Sequence, residues 1–484
     1  MRIHIVIRYV ALALLLNSVF MFLSAVLSLI YQDNAFFPLL YSGLVTALFG
    51  LFPLIFVPPT DRITNKEGLL IVVLSWLIAC LAGSLPYILW GGNFTFTNAW
   101  FESVSGFTTT GSTILTNIET LPASLLFWRA ATHWIGGIGI IIFVLAVLPF
   151  IGIAEVVLFR TEISSMVQQN FHHRARRAIQ ILASVYVGLT ILETISLLLC
   201  GMSLFDAVTH SFATIATGGF SPKNESIAFY KNPVIEIIII IFMILSGIHF
   251  ALLFSVVTGK IKVLWQSTIL RFYIIFLTLG VLLCTLDLHI LHNKDLITSL
   301  RYATFNIISV GTSTGFATTD TSLWPPFSQL LIIFFALQCA CSGSTSGGIK
   351  VDRIVIVLKS FIKQLKRVMH PNAVIPIRID NKSINNNIVN KSILYVMSYL
   401  IIIFISSLLL SLSGIDLLSA FSGTVATMGN VGPGLGTVGS TANFAHLPVI
   451  AKWILSLTML LGRLEIYALF IFITPAQWKD TITY

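Results

Sequence analysis

Long apolar segments dominate this sequence and constrain its fold more than any other feature. A membrane-spanning helix requires roughly 20 mostly apolar residues, and ten segments meet that requirement. They are residues 6–31, 36–58, 67–91, 124–150, 178–201, 233–258, 265–290, 324–365, 392–413 and 448–474. Only 10% of the 484 residues are charged, whereas soluble proteins carry about 25%. The sequence therefore predicts an all-α polytopic membrane protein.

The basic residues are unevenly distributed along the chain, and their positions predict its orientation. The net charge is +9, which in a soluble protein would suggest nucleic-acid binding. If both termini lie in the cytoplasm, 21 of the 28 lysines and arginines fall in cytoplasmic segments, in agreement with the positive-inside rule. We therefore expect a multi-pass protein with a cytoplasmic N-terminus and C-terminus, and no nucleic-acid partner.

Four segments between the predicted spans share a pattern. They are too short and polar to cross the membrane, and each ends in small hydroxyl and glycine residues. They cover residues 98–113, 205–221, 299–317 and 417–434. Each contains a glycine that is preceded by alanine twelve positions earlier, and these glycines are Gly111, Gly219, Gly315 and Gly432. Four matches in register along one chain indicate an internal repeat.

The repeat unit is a span, a short pore helix with its loop, and a second span. Each unit starts and ends on the cytoplasmic side, so the four units are parallel and surround a central pore. Two extra N-terminal transmembrane helices precede them. The predicted division is residues 1–66 for those two helices and residues 67–177, 178–264, 265–387 and 388–484 for the four pore repeats.

The loops of the repeat predict a specific chemistry. Non-helical backbone at membrane depth is tolerated only where it is buried in protein or faces a water-filled path. Rings of carbonyl oxygens around one axis replace the hydration shell of a cation, and glycine supplies the positive φ angles that such a backbone needs. We therefore predict a carbonyl-lined filter for a monovalent cation. The alternative is that these are ordinary glycine-rich turns.

Several motifs relate the chain to a known family. They are Trp134–Gly139 (WIGGIG), Leu158–Arg160 (LFR), Ser342–Lys350 (SGSTSGGIK), His370–Pro371 and Asn430–Gly434 (NVGPG). On these motifs and the four-fold plan, the chain resembles the Trk/Ktr/HKT superfamily of potassium transporters, and within it the TrkH-type potassium-translocating subunits of bacteria. The resemblance covers essentially the whole chain. Three residues depart from the family pattern, namely His133, His249 and Ser346.

The resemblance implies a potassium-selective, channel-like uptake transporter in the bacterial inner membrane, with K+ as the transported ion. It also implies a homodimer and a TrkA-like cytoplasmic nucleotide-binding regulatory subunit. This chain itself has no Walker or Rossmann fingerprint, so we expect no cofactor in it. In this family a serine at the first filter glycine is associated with sodium transport, and Gly111 therefore favours potassium.

Carried over by motif, the filter comprises four stretches of four residues. They are Thr109, Thr110, Gly111 and Ser112; Thr217, Gly218, Gly219 and Phe220; Ser313, Thr314, Gly315 and Phe316; and Asn430, Val431, Gly432 and Pro433. Potassium is the only metal expected in this protein, and we expect it at these residues alone.

The eighth apolar segment is interrupted near its middle by Gly343, Ser344, Thr345, Ser346, Gly347 and Gly348. Such a stretch leaves backbone groups unpaired and should line a cavity. We predict an intramembrane loop that gates the cytoplasmic exit, as the resemblance also implies. A simple kink used for packing is the alternative. Lys350 follows the loop, and it either ties the loop to the cytoplasmic face or acts as a positive-inside anchor.

Arg463 lies near the centre of the last apolar segment. An arginine at mid-membrane costs roughly 2.5–3.5 kcal/mol on insertion scales, so its side chain should face protein or water. We predict that Arg463 is an electrostatic barrier to cations beneath the filter, a role that the resemblance places in this helix. The alternative is a structural ion pair with a remote acid, since Glu465 points elsewhere on the helix.

Alternating apolar residues in segment 373–384 predict a small cytoplasmic hairpin. Together with the basic loop 151–178, this hairpin is a candidate docking surface for a regulatory ring. The alternative is an ordinary solvated linker.

Two other functions are compatible with parts of the sequence. An ion-coupled secondary transporter of another small solute or cation also breaks its helices at the midplane, although such folds commonly use inverted repeats. Segment 343–347 superficially resembles a serine nucleophile turn, but no His or Asp is spaced to serve it. We therefore expect no enzymatic activity.

Overall fold

The computed structural model describes residues 2–58, 64–151, 171–292, 295–380, 382–466 and 468–470, without the side chains of residues 65, 140–179 and 292. The predicted motif Leu158–Arg160 and most of the basic loop around it lie outside these residues.

The apolar segments form helices in the order that the sequence predicts. The helices are α1 (Ile3–Tyr31), α2 (Phe36–Phe56), α3 (Asn65–Trp90), α4 (Phe96–Phe107), α5 (Ala123–Ile151), α6 (Phe171–Leu199), α7 (Leu204–Ile215), α8 (Pro233–Ser246), α9 (Phe250–Val257), α10 (Lys262–Gln266), α11 (Thr268–His292), α12 (Leu296–Gly311), α13 (Pro326–Leu337), α14 (Val351–Met369), α15 (Asn386–Leu412), α16 (Leu417–Met428) and α17 (Val449–Arg463). Short 3-10 turns lie at Ser226–Tyr230, Thr321–Leu323 and Gly436–Val438.

Six of the described helices are long and apolar enough to cross a membrane, and the number is seven when the bent pair α8 and α9 is counted as one broken span. Their outer faces carry large apolar side chains, such as Leu48 and Ile55 on α2, which are 67% and 74% exposed. Exposure of this kind on an isolated chain is expected where lipid covers the surface. The protein is a mainly helical, multi-pass membrane protein, as predicted.

The four predicted pore segments form the short helices α4, α7, α12 and α16. Three of them begin with a capping side chain. Thr95 accepts a hydrogen bond from the amide of Asn98, Ser203 accepts one from Asp206, and Asp416 accepts one from Ser419. Such caps satisfy amides that have no partner within the helix. They therefore fix where each pore helix begins, and hence where its loop emerges.

The predicted break in the eighth segment is present. Helix α13 ends at Leu337 and α14 begins at Val351. Between them, strand β1 (Gln338–Cys339) pairs in parallel with strand β2 (Ile349–Lys350), and this pairing closes the intervening residues into a loop.

Two other apolar segments are interrupted, and their sequences give no sign of it. The segment 233–258 bends by 105° between α8 and α9. Gly247 packs too closely at this bend for any side chain, since an added Cβ atom would lie 2.3 Å from the hydroxyl oxygen of Tyr273. Helix α17 ends at Arg463 instead of passing through it, and Glu465 has a positive φ of 50°.

The predicted cytoplasmic hairpin is also present. Strand β3 (Arg378–Ile379) pairs antiparallel with strand β4 (Lys382–Ser383). A carboxylate oxygen of Asp380 accepts a hydrogen bond from the Thr268 amide at the start of α11, at 2.6 Å. The hairpin is therefore held at the N-terminal end of the span α11.

Helix α5 packs directly against the end of the first pore helix. A Cβ atom added to Gly136 would lie 1.9 Å from the carbonyl oxygen of Phe107. This approach leaves no room for a methyl group. By contrast, nothing lies within 4 Å of the equivalent position on Gly188 of α6.

We predict that Gly136→Ala destabilises the protein by about 1–3 kcal/mol, because the new methyl group must push apart two packed backbones. The matched control is Gly188→Ala, which should be neutral or stabilising by up to about 1 kcal/mol, since alanine favours helix. Thermal unfolding of both purified variants in one detergent measures the difference. Equal midpoints for the two variants would contradict the packing described above.

Candidate functional site

The four predicted filter stretches adopt one backbone conformation. The first residue of each has a positive φ, although none of the four is glycine. These residues are Thr109, Thr217, Ser313 and Asn430, with φ of 51°, 55°, 57° and 53°. Positive φ is uncommon for non-glycine residues, so its recurrence at one position in four loops indicates a shared architecture.

The third residue of each stretch is glycine, also with positive φ. The values are 87° for Gly111, 78° for Gly219, 81° for Gly315 and 103° for Gly432. A residue with a side chain is strained in this region, whereas glycine is not. The backbone therefore requires glycine at the positions on which the repeat was anchored.

These glycines bring the four loops into a closed ring. A Cβ atom added to Gly111 would lie 2.2 Å from the carbonyl oxygen of Gly218, which belongs to the second loop. The same test gives 2.0 Å from Gly219 to Thr314 and 1.8 Å from Gly315 to Val431. From Gly432 back to Thr110 it gives 2.6 Å. Each loop thus abuts the next in chain order, and the fourth abuts the first.

Side-chain hydrogen bonds join the fourth loop to the first and complete the ring. The Ser112 hydroxyl donates to the carbonyl oxygen of Gly432 at 2.8 Å, and the Asn430 amide nitrogen donates to the Thr110 hydroxyl at 3.0 Å. These bonds connect residues that are about 320 positions apart in the chain. They fix the spacing between the first and fourth loops, and residues that are neighbours in the sequence could not set that spacing.

A polar cavity of about 110 Å³ lies on one side of the ring. It is lined by all four filter glycines and Pro433, and by residues that follow the loops, including Ser221 and Ala317. The chain leaves each filter stretch toward this cavity. The cavity therefore lies on the side of the ring at which the loops exit.

The predicted gating loop lies at the opposite end of the ring. The Thr345 hydroxyl donates to the carbonyl oxygen of Ile215, the last residue of α7, at 2.9 Å. The Gly347 amide donates to the Ser313 hydroxyl at 3.0 Å. A Cβ atom on Gly347 would lie 2.4 Å from the carbonyl oxygen of Gly429. The loop thus packs directly against residues in or beside the second, third and fourth filter stretches.

The rest of the predicted loop is largely buried. Gly343 and Gly348 have positive φ, 78° and 65°, and these two glycines bracket the loop. The hydroxyl groups of Ser344 and Ser346 bond to each other at 3.2 Å. Backbone turns at both ends make the segment a compact loop rather than the simple kink that was the alternative.

Arg463 joins this loop to the surrounding helices. Its guanidinium group donates to the carbonyl oxygens of Thr345 at 2.6 Å and Gly136 at 3.1 Å, and its side chain is buried. No ion pair to Arg463 exists among the residues whose side chains are described. The predicted alternative of a remote acidic partner is therefore not found in that part of the chain.

Glu465 pairs instead with Arg353 of α14, at 2.6 Å, and both side chains are mostly buried. The Arg353 guanidinium also lies 3.7 Å from the centre of the Tyr395 ring. Lys350 turns back onto the loop and donates to the carbonyl oxygen and hydroxyl of Ser346. The basic residues after the loop are thus bound within the protein.

Sequence reasoning missed a buried ion pair behind the filter. Arg129 of α5 lies 2.6 Å from Glu102 of α4, with side-chain exposures of 3% and 0%. Glu102 also accepts a hydrogen bond, at 3.0 Å, from the amide of Ile114, which lies just after the first filter stretch. Arg129 donates to the carbonyl oxygen of Ser221 at 3.1 Å and stacks over Phe220 at 3.4 Å.

This pair ties the exit of the first loop to the exit of the second. A signal for it was present in the sequence. Arg129 is a single cation in an otherwise apolar segment, and such residues face the protein interior and a partner. The partner's identity could not be read, because Glu102 lies on a different element.

The residues that depart from the family pattern also support the site. The Nδ1 atom of His133 forms a hydrogen bond with the carbonyl oxygen of Gly106 at 2.9 Å. Its Nε2 atom accepts a hydrogen bond from the amide of Phe220 at 3.3 Å. His249 caps α9 and packs against Gly343 of the gating loop. Both side chains are packed and hydrogen-bonded. Within the described part of the chain, no three His, Cys, Asp or Glu residues form a metal-binding group.

Acidic residues near the pore helices have different roles. Asp416 caps α16, and the hydrogen bond from the Ser419 amide lowers the pKa of its carboxyl group. Asp206 lies 4.0 Å from Lys223 in a partly exposed pair. Among these three acids on or beside pore helices, Glu102 is the one held in a buried pair.

Residues 59–479 match the family model described as TrkH, cation transport protein. The chain is 38% identical over 489 residues to the Trk system potassium uptake protein TrkH of Salmonella typhimurium, covering 99% of this chain and all of that protein. It is 32% identical over 426 residues to the Trk system potassium uptake protein TrkG of Escherichia coli, covering 87% of each.

The structure is also similar to a solved one. The crystal structure of the potassium transporter TrkH from Vibrio parahaemolyticus superposes with a TM-score of 0.90. The sequences are 34% identical, and the match covers 99% of this chain and all of that one.

We predict that Arg129→Met destabilises the protein by about 3–5 kcal/mol, because it leaves the Glu102 carboxylate buried without a counter-charge. Replacing both residues with apolar ones should recover much of that loss. The control is Lys223→Met, which removes a partly exposed pair and should cost less than about 1 kcal/mol. Thermal unfolding of the three purified variants makes the comparison, and equal losses for Arg129→Met and Lys223→Met would contradict it.

Proposed function

This chain belongs to the TrkH family of cation transport proteins, and from that premise we propose that it is a potassium-selective, channel-like uptake transporter. K+ would pass down its electrochemical gradient through the ring formed by the four filter stretches. The family consists of transporters and not of enzymes.

The observation that carries this proposal is the closed ring of four loops. The second-position carbonyl groups, those of Thr110, Gly218, Thr314 and Val431, each lie against the glycine of a neighbouring loop. Carbonyl oxygens arranged around one axis can replace the water shell of a weakly hydrated cation. The ring supports the assignment of the sixteen predicted residues as the K+-binding filter.

Selectivity for potassium is assigned from the relatives and from one residue. The relatives of this chain are named potassium uptake proteins. Residue 111 is a glycine, whereas a serine at this position is associated with sodium transport in the wider family. The neighbouring carbonyl oxygen of Gly218 leaves no space there for a side chain.

We assign the gate to Gly343–Gly348, Lys350 and Arg463. The loop packs against pore-helix ends and filter residues on the side opposite the polar cavity, which supports a position across the exit path. Arg463 holds the loop through Thr345 and has no acidic partner among the described side chains. Its uncompensated charge supports the role of an electrostatic barrier to cations.

The repeat division predicted above, with boundaries at residues 66, 177, 264 and 387, belongs to the same proposal. The recurring helix, loop and backbone conformation supports four parallel repeats after two extra helices. Its boundaries fall within or beside helices, so they mark units of sequence rather than flexible linkers.

We further propose a homodimer in the bacterial inner membrane, with both termini in the cytoplasm and a TrkA-like nucleotide-binding regulatory subunit. Helix α14 supports a protein contact, because it exposes Phe361, Ile362, Leu365, Val368 and Met369 along one side. An exposed apolar face of this size commonly marks an interaction site. The hairpin, together with the basic loop 151–178, is the proposed docking surface for the regulatory subunit.

A coupled secondary transporter of another solute or cation is the alternative function. Uptake of potassium or rubidium by liposomes that contain only this protein, with no organic solute and no proton gradient, distinguishes the two. Uptake that requires a second solute or ion gradient would favour the alternative.

We predict that Gly432→Asp abolishes selective potassium uptake in liposomes. The new side chain would be strained at a φ of 103°, and its Cβ atom would lie 2.6 Å from the carbonyl oxygen of Thr110. The matched control is Gly414→Asp, which has a φ of 84° and no neighbour within 4 Å. The control should keep wild-type uptake and preference for potassium over sodium. If both variants behave as the wild type does, the filter assignment fails.

We predict that Arg463→Ala increases cation flux several-fold and leaves the preference for potassium unchanged, because the substitution removes charge beneath the filter and not the filter itself. Arg463→Lys keeps a positive charge and should stay close to the wild type. Flux measured at equal protein incorporation tests this. Lower flux in a well-folded Arg463→Ala protein would overturn the barrier role.

A further inference from the structure

A second buried acid lies behind the filter, and it has no cationic partner in the described structure. Glu193 lies on α6, within the span Gln180–Leu199, and its side chain is completely buried. Neither of its carboxyl oxygens has a hydrogen-bond partner among the described residues. By contrast, Glu102 pairs with Arg129 and Glu236 with Arg301. Glu193 is therefore an exception among the membrane-embedded acids.

The carboxyl group of Glu193 faces Thr214, near the end of pore helix α7. The Thr214 hydroxyl already donates its hydrogen to the carbonyl oxygen of His210, at 2.8 Å. A hydroxyl group has one hydrogen to donate and lone pairs that accept. While that bond to His210 is made, Thr214 offers Glu193 an acceptor and not a hydrogen. An ionised carboxylate has no hydrogen to give, whereas a carboxylic acid has one.

The charged groups on the elements packed against α6 are already engaged. On α5, Arg129 pairs with Glu102, and His133 is hydrogen-bonded to the carbonyl oxygen of Gly106. On α7, Asp206 lies beside Lys223, and His210 is hydrogen-bonded to Ser221. On α8, Glu236 pairs with Arg301. Helix α9 carries no ionisable side chain. The described surroundings of Glu193 thus offer no counter-charge, and burial of an unpaired carboxylate is strongly unfavourable.

We propose that Glu193 is a proton-binding site inside the membrane, where burial without a counter-charge keeps it a carboxylic acid, and where the proton gives that acid a hydrogen to share with the nearby Thr214 hydroxyl. The proton would hold α6 against the end of α7. The next residue, Ile215, receives the hydrogen bond from Thr345 of the gating loop, and Thr217 opens the second filter stretch. The bound proton therefore stabilises the place where pore helix, filter and gating loop meet.

Infrared spectroscopy of the full-length protein in liposomes at neutral pH tests the site directly. A protonated carboxyl group has a C=O stretching band that carboxylates lack. We expect this band in the wild type and its loss in Glu193→Gln. The control Glu225→Gln removes an exposed acid and should leave the band intact. An unchanged band in Glu193→Gln would show an ionised Glu193, with or without a bound metal cation, and would overturn the proposal.

Rubidium uptake tests the structural role of the proton, and this measurement rests on the proposed transport function. Glutamine keeps a hydrogen-bond donor at the same position, so Glu193→Gln should retain uptake near the wild-type rate. Glu193→Ala, which has no donor, should lose thermal stability and uptake together. Loss of uptake in a Glu193→Gln protein of wild-type stability would overturn the structural role. The infrared result does not depend on transport, so a failure of the transport function is recognised separately.

Discussion

The close approach of four backbone loops around one axis is the constraint on which the rest of this structure depends. Each loop places a glycine against the carbonyl group of the next loop, at separations that no Cβ atom tolerates. A close approach of backbones from four separate segments has to be held by the structure around it. The pore helices, their caps and the helices packed behind them provide that support, and the ring is consequently a product of the whole chain.

Buried charges hold the ring in place from behind. The Glu102–Arg129 pair fastens the exits of the first two loops, and His133 bonds both a pore helix and the second loop. On the other side, Arg463 donates to the gating loop, while Arg353 and Glu465 connect the helix after that loop to the chain just beyond α17. Placing these groups in a low-dielectric interior makes each pair strong and each loss of a partner costly.

Much of the fold was predictable, because a bilayer permits few solutions. Apolar length predicted the spans, and the glycine and alanine spacing located the four pore segments, which α4, α7, α12 and α16 confirm. The break in the eighth segment followed from its glycines and serines. The bend at Gly247 and the end of α17 at Arg463 were missed, since an unbroken apolar pattern carries no sign of a backbone forced apart by tertiary contacts.

Local residue type and period specified the lipid environment, the helical class, the four matched pore segments and the glycines that a left-handed backbone requires. Tertiary contacts set which loop abuts which and paired Glu102 with Arg129. They also directed Arg463 to the carbonyl oxygen of Thr345 and paired Glu465 with Arg353. Those contacts join residues on different elements, often hundreds of positions apart, and a hydrogen bond or ion pair depends on distances that the order of residues does not specify.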